Sequence, residues 1–166
     1  MQPLKMEPVF KERVWGGRRL AEVFGKPLPA GRPIGESWEL ADHPHGRSRV
    51  AGGPHAGRTL ADLLQTDAAA ILGDEAHASG PPGPFPLMVK FIDAADRLSV
   101  QVHPSAETAR GETSGEVGEA AGAAPAGKTE CWVVLHAEPD AWVVEGLAPG
   151  TSPAALESAV AAGDLA

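Results

Sequence analysis

Gln101 and His103 stand one residue apart, and Glu130 follows downstream in the segment KTECWVV. An amide oxygen, an imidazole nitrogen and a carboxylate oxygen are all donors to a divalent cation. In an extended strand, residues i and i+2 share a face and lie about 7 Å apart, so both long side chains can converge on an ion about 2 Å from each. Thr129, Cys131 and Val133 take the opposite face from Glu130, whose carboxylate can therefore be directed into the same interior if the two segments are strands of one barrel. Such a hard-to-borderline donor set suits zinc and leaves coordination positions open to substrate oxygens. On spacing alone, however, a Gln-x-His on a strand is more often a solvated face than a metal site.

Those three residues need strands to hold them. The stretch PLMVKFIDAADRLSVQVHP reads as two β segments joined by a turn at 94–97. In its second half, Leu98, Val100 and Val102 point one way and Ser99, Gln101 and His103 the other. Further strands are expected over 129–136 and 141–146, after which Ser152 caps a helix, PAALESAVAAG. Upstream, 8–15 reads as a strand broken by Gly16 and Gly17, and 18–24 has helical spacing up to Gly25. GESWELADHP reads as a strand ending at Pro44, with 48–50 returning antiparallel to it as a hairpin. Thr59 is a good N-cap for LADLLQTDAAAILG, which ends at Gly73. The Gly/Ala/Glu-rich stretch 111–127 reads as a mobile loop.

Composition narrows the function. The chain has 166 residues, enough for one ordinary domain or part of one. Its 22 acidic against 14 basic residues give a formal net charge of −8, with the cations scattered, which argues against a nucleic-acid surface. With Cys131 as the one cysteine, no internal disulfide can form, and a reducing, cytoplasmic location is expected. No apolar run approaches the roughly 20 residues needed to span a bilayer, so no membrane partner is expected. Twenty glycines and 16 prolines shorten elements and multiply turns, as in a β-rich fold of short strands.

Four segments, EPVFKERVWGG, GESWELADHP, PLMVKFIDAADRLSVQVHP and KTECWVVL, occur in this order. Together they resemble the N-terminal portion of type I, cupin-type, zinc-dependent mannose-6-phosphate isomerases, over nearly the whole chain. The resemblance implies a mostly β, cupin-like jelly roll, partial here, with a few short helices. It further implies a Zn2+ cofactor held by Gln101, His103 and Glu130, and a sugar-phosphate cavity lined by Lys90, Ser99 and Lys128, with Lys128 in a catalytic role. The implied reaction interconverts mannose 6-phosphate and fructose 6-phosphate through a metal-stabilised enediol. The family completes its site with a histidine and an arginine from a later segment that these 166 residues do not contain, so the chain alone is expected to be inactive or nearly so. A non-catalytic cupin-like module binding metal or sugar phosphate is the alternative. The residue types agree with the first reading, since a phosphorylated sugar needs cations and hydroxyl donors near an ion that polarises its carbonyl.

Other chemistry-bearing residues read as bland. His43 and His45 flank Pro44 in a solvated turn, and His55 and His77 lie in Gly/Pro-rich loops. His136 shares strand parity with Glu130, but six residues put them about 20 Å apart. Trp15, Trp38, Trp132 and Trp142 read as core or cavity wall, and Cys131 as a buried, inert thiol.

Overall fold

Strand formation in the N-terminal half follows its β-branched and aromatic runs. In the computed structural model, which describes residues 2–73, 84–101, 103, 105, 107 and 128–164, strand β1 is Met6–Glu7 and VFKERVWGG forms β2, Val9–Gly17. Helix α1, Arg19–Glu22, follows, then β3, Ile34–Leu40, and the short strands β4, Asp42–His43, β5, Gly46–Arg47, and β6, Arg49–Val50. Helix α2 is Leu60–Leu72, β7 is Val89–Ile92 and helix α3 is Pro153–Ala162. The architecture is mostly β with a few short helices. The chain divides into two units, Met1–Leu98 and Ser99–Ala166.

The first unit is built on an antiparallel sheet of order β2-β3-β7. Phe10 faces Ser37, which faces Phe91, while Trp38 faces Lys90 and Glu36 faces Ile92. The central strand is the most enclosed: Ile34, Glu36, Ser37 and Trp38 are all buried. Two glycines make the sheet edge possible. A Cβ on Gly16 would lie 2.6 Å from the Ile34 carbonyl carbon and push the two backbones apart, and one on Gly17 would lie 2.7 Å from an Asp93 carboxylate oxygen and displace that side chain. Asp93, itself buried, uses that space to accept a 2.7 Å hydrogen bond from the Arg19 N–H at the start of α1.

Helix α2 begins as its sequence predicts. The Thr59 hydroxyl accepts from the Asp62 N–H and the Asp62 carboxylate accepts from the Thr59 N–H, a complete capping box. Leu60, Leu63, Leu64 and Ala68 fall on its buried face, the i, i+3, i+4 spacing that lets one stripe enter the core. The helix kinks at Asp67, with φ −134°, before ending at Gly73. The expected hairpin is displaced. Asp42–His43 pairs with Gly46–Arg47, and Arg49–Val50 leaves to pair with Met6–Glu7. Ser48 remains close to the first arm through its N–H on the Ala41 carbonyl and its hydroxyl under the Ala41 N–H. A tight turn around Pro44 closes the ladder two residues earlier than the pattern suggested, freeing Val50 to be buried.

The second unit holds helix α3, where the Ser152 hydroxyl accepts from the Ala155 N–H and Gly163 closes the helix at φ +70°. The strands expected over 98–103, 129–136 and 141–146 are not formed among the described residues, and 128–150 are exposed. Alternation makes a segment two-faced, but a strand also needs a neighbour's N–H and C=O groups. No described residue of this unit provides such a ladder. The loop expected at 111–127 and His77 lie outside the described residues. No described helix is long and apolar enough to cross a membrane.

Candidate functional site

In the second unit three predicted site residues meet. His103 Nε2 lies 3.3 Å from Glu130 Oε1, and the Lys128 ammonium lies 3.1 Å from His103 Nε2 and 3.3 Å from Glu130 Oε2. The arrangement fixes its own protonation logic. If Nε2 carries a proton it can donate to Glu130 but faces the ammonium unfavourably; if it does not, two lone-pair atoms face each other and need a cation between them. Lys128 supplies that cation. Trp132 Nε1 also donates to Glu130 Oε1 at 3.2 Å. Burial pushes the Glu130 carboxyl up, but the Trp132 N–H, the Lys128 hydrogen bond and charge, and His103 outweigh it and hold the group below the ordinary carboxylate range. A carboxylate held in its ionised form is one that a metal could use as a ligand.

The same distance tests the fit of an ion. Two donors at about 2.0–2.1 Å from a tetrahedral centre sit about 3.3–3.4 Å from each other, and His103 Nε2 and Glu130 Oε1 stand 3.3 Å apart. Gln101, two residues from His103, donates from Nε2 to Ser99 Oγ at 2.7 Å, so these two residues of the expected polar face do share a side. That contact occupies the Gln101 amide nitrogen and leaves its carbonyl oxygen, the atom a metal would use, out of the bond. Among the described residues no group of three His, Cys, Asp or Glu gathers in one place.

Lys90 belongs to the first unit and has a carboxylate partner that its sequence context did not single out. Its ammonium lies 3.0 Å from Glu36 Oε1, while Arg13 Nη2 lies 2.7 Å and Trp38 Nε1 3.2 Å from Glu36 Oε2. Glu36 is 6 % exposed. Burial raises its pKa, but the hydrogen bond and charge of Lys90, the charge of Arg13 and the Trp38 N–H together bring it below the usual carboxylate value. The signal for Glu36 was present in GESWEL: an acid on the inward parity of an otherwise apolar central strand must find partners.

Several bland readings are corrected. Cys131 is exposed rather than buried, because the strand parity that would have hidden it is not realised. Trp132 and Trp142 are also exposed, whereas Trp38 is core. His43 is half-buried rather than solvated, edge-on to Trp38 at 5.7 Å and 5.1 Å from the His45 ring. Burial, then the charges of His45 and Lys11, push its pKa down. His136 pairs locally with Glu138 at 3.2 Å.

The described residues are mostly β and bring an imidazole, a carboxylate and an ammonium together, and the solved structures the chain resembles are phosphomannose isomerases, which have a cupin fold. Residues 3–116 match the family model of the type I phosphomannose isomerase catalytic domain, and the chain belongs to that family, which is metal-dependent. It is 42 % identical over 145 residues to the probable mannose-6-phosphate isomerase GmuF of Bacillus subtilis, covering 87 % of this chain and 41 % of that protein. It is 36 % identical over 163 residues to a mannose-6-phosphate isomerase of Streptococcus mutans, covering 98 % and 46 %. Among solved structures, a mannose 6-phosphate isomerase from Bacillus subtilis superposes with a TM-score of 0.58 at 34 % identity over 70 % of this chain and 35 % of that one. A variant of the phosphomannose isomerase from Salmonella typhimurium gives 0.56 at 27 % identity, over 64 % and 27 %. The chain thus spans less than half the length of these relatives.

Proposed function

We propose that this chain forms part of a zinc-dependent isomerase that interconverts mannose 6-phosphate and fructose 6-phosphate. The observation that supports it is the meeting of His103, Glu130 and Lys128 within 3.3 Å in a member of the phosphomannose isomerase family. In this reading His103, Glu130 and Gln101 hold the ion. Bound zinc would supply Lewis-acid stabilisation of the negative charge that develops as a proton moves between the adjacent carbons of the sugar. Lys128, whose side chain is 54 % exposed, can leave the donor pair and turn to a sugar oxygen, giving a hydrogen bond that strengthens as charge accumulates there. Ser99 offers a hydroxyl and Lys90 a second cation for the phosphorylated substrate. A reducing cytoplasm is the compartment that suits a chain with one exposed thiol.

Zinc analysis and a coupled isomerase assay test the proposal. His103→Ala should abolish zinc retention in the complete enzyme, and Lys128→Ala should damage turnover while sparing the metal. Robust isomerase activity from residues 1–166 alone would show that the histidine and arginine of the family's later segment are not needed, against the ligand count argued above.

A further inference from the structure

The carboxylate of Glu36 is held at both ends. Lys90 occupies Oε1, and Arg13 and Trp38 share Oε2. With three donors fixed on two oxygens, the carboxylate cannot rotate without losing at least one of them, and the Trp38 side of the arrangement is in the core. The strand register adds a second constraint. Glu36 opposes Ile92 and Trp38 opposes Lys90, so Glu36 and Lys90 are diagonal neighbours on adjacent strands, within reach of a long side chain. Charge gives the third observation. One carboxylate meets two permanent cations, so the group carries a net positive charge, where a pair formed only to neutralise a buried acid would need one cation. Lys90 and Arg13 are also the accessible members, with side chains 27 % and 40 % exposed against 8 % for Glu36. An ammonium that gives one N–H to Glu36 keeps further donors for another acceptor.

We propose that Glu36 is a positioning residue for Lys90, a clamped carboxylate that fixes the ammonium so that its remaining N–H donors face a phosphate oxygen of the substrate. Arg13 holds the far oxygen of Glu36 and adds the positive charge that the carboxylate would otherwise cancel. A free lysine carries large rotamer entropy that must be lost on binding an anion; one already tied to a rigid strand has lost it beforehand. The inference rests on the reading of Lys90 as a substrate contact, and its test separates the two.

The test uses the complete enzyme loaded with zinc, titrated calorimetrically with mannitol 6-phosphate, a sugar phosphate without a carbonyl to isomerise, as the unsubstituted protein, Lys90→Ala, Glu36→Gln and the double variant. Lys90→Ala should weaken binding about tenfold, the scale of one charge-assisted hydrogen bond. Glu36→Gln should weaken it about three- to tenfold, and the double variant should bind no worse than Lys90→Ala, because Glu36 has nothing left to position. Glu36→Asp, which keeps the charge, should recover part of the loss. If Glu36→Gln weakens binding by the same factor with and without Lys90, its effect is structural and the proposal falls. If Lys90→Ala has no effect on binding by the complete enzyme, the functional reading of Lys90 falls instead. A ligand-free readout then decides on Glu36: the Lys90 ammonium should give an exchange-protected 1H–15N NMR signal that Glu36→Gln abolishes. Equal protection in both proteins would overturn the positioning role.

Discussion

Lys128→Met removes the ammonium that bridges His103 and Glu130 while keeping most of the aliphatic stem, and it should not weaken metal binding. The magnitude follows from the geometry. Nζ is 3.1 Å from His103 Nε2 and 3.3 Å from Glu130 Oε2, so if both residues held a divalent ion, as proposed, the ammonium would be its neighbour, and a separation of about 4 Å sets the scale. Unit charges at that distance repel by about 1 kcal/mol in water and about 4 kcal/mol near a protein surface. Because the Lys128 side chain is 54 % exposed, the water-like limit is the appropriate one, giving about 2 kcal/mol for a divalent ion before screening. Physiological salt reduces this further. Against it stands the loss of the contact that keeps Glu130 ionised, which at pH 7 changes little because a carboxylate is ionised there in any case. The net expectation is a tightening of zinc binding by up to about thirtyfold at low ionic strength, shrinking toward unity as salt rises. Competition calorimetry with a zinc chelator, at two salt concentrations, measures it. Weaker zinc binding in Lys128→Met would mean that the lysine supports the ligands rather than competing with the ion, and would refute the proposal that His103 and Glu130 hold it.

Other consequences are as direct. Leu63, with 0 % exposure in the middle of the α2 stripe, should cost about 2–5 kcal/mol when cut to alanine, read by urea denaturation; a loss under 1 kcal/mol would show that α2 is not packed as described. Gly16→Ala, whose Cβ would meet the Ile34 backbone, should destabilise by more than about 2 kcal/mol, whereas Gly52→Ala, extended at φ −177° with nothing within 4 Å, should stay within about 0.5 kcal/mol; equal effects would refute the close strand contact. Stability should decline on acidification in two windows. His43 has a lowered pKa, so the unfolded chain takes up protons first and stability is lost as pH falls below the ordinary 6.5 toward the folded value. Glu36, also lowered, contributes stability that is full above the ordinary 4.5 and lost below it. Denaturation midpoints recorded from pH 8 to 3 test both, and a His43→Gln chain should lose the upper window alone.

Local chemistry was legible wherever a few neighbouring residues decide the outcome. Thr59 with Asp62 specified the start of α2, Ser152 the start of α3, and the leucine spacing of LADLLQTD the buried stripe, because caps and periodicity act within one or two turns. Ser99 and Gln101 do contact each other, through the Gln101 amide on the Ser99 hydroxyl, but not on a strand. Partner choice was not legible in the same way. Nothing in RSRV announces that Arg49–Val50 pairs with Met6–Glu7 rather than with GESWEL, since pairing depends on which distant strand arrives beside it. The burial of Glu36 among Arg13, Trp38 and Lys90 comes from three strands at once. In the second unit the alternation of KTECWVVL predicted a strand and a hidden Cys131, yet the residues are exposed, because alternation states which side chains share a face and only a neighbouring backbone turns that into a ladder. The sequence by itself therefore determined the N-termini of α2 and α3, set by short-range capping, whereas the helix expected over 18–24 is shorter, Arg19–Glu22, and the strand expected to break at Gly16 and Gly17 runs through both. Only the tertiary structure decided that His103, Lys128 and Glu130 lie within 3.3 Å of one another, because closing 25 residues of chain on one point is a matter of the whole fold's contacts and not of any local preference.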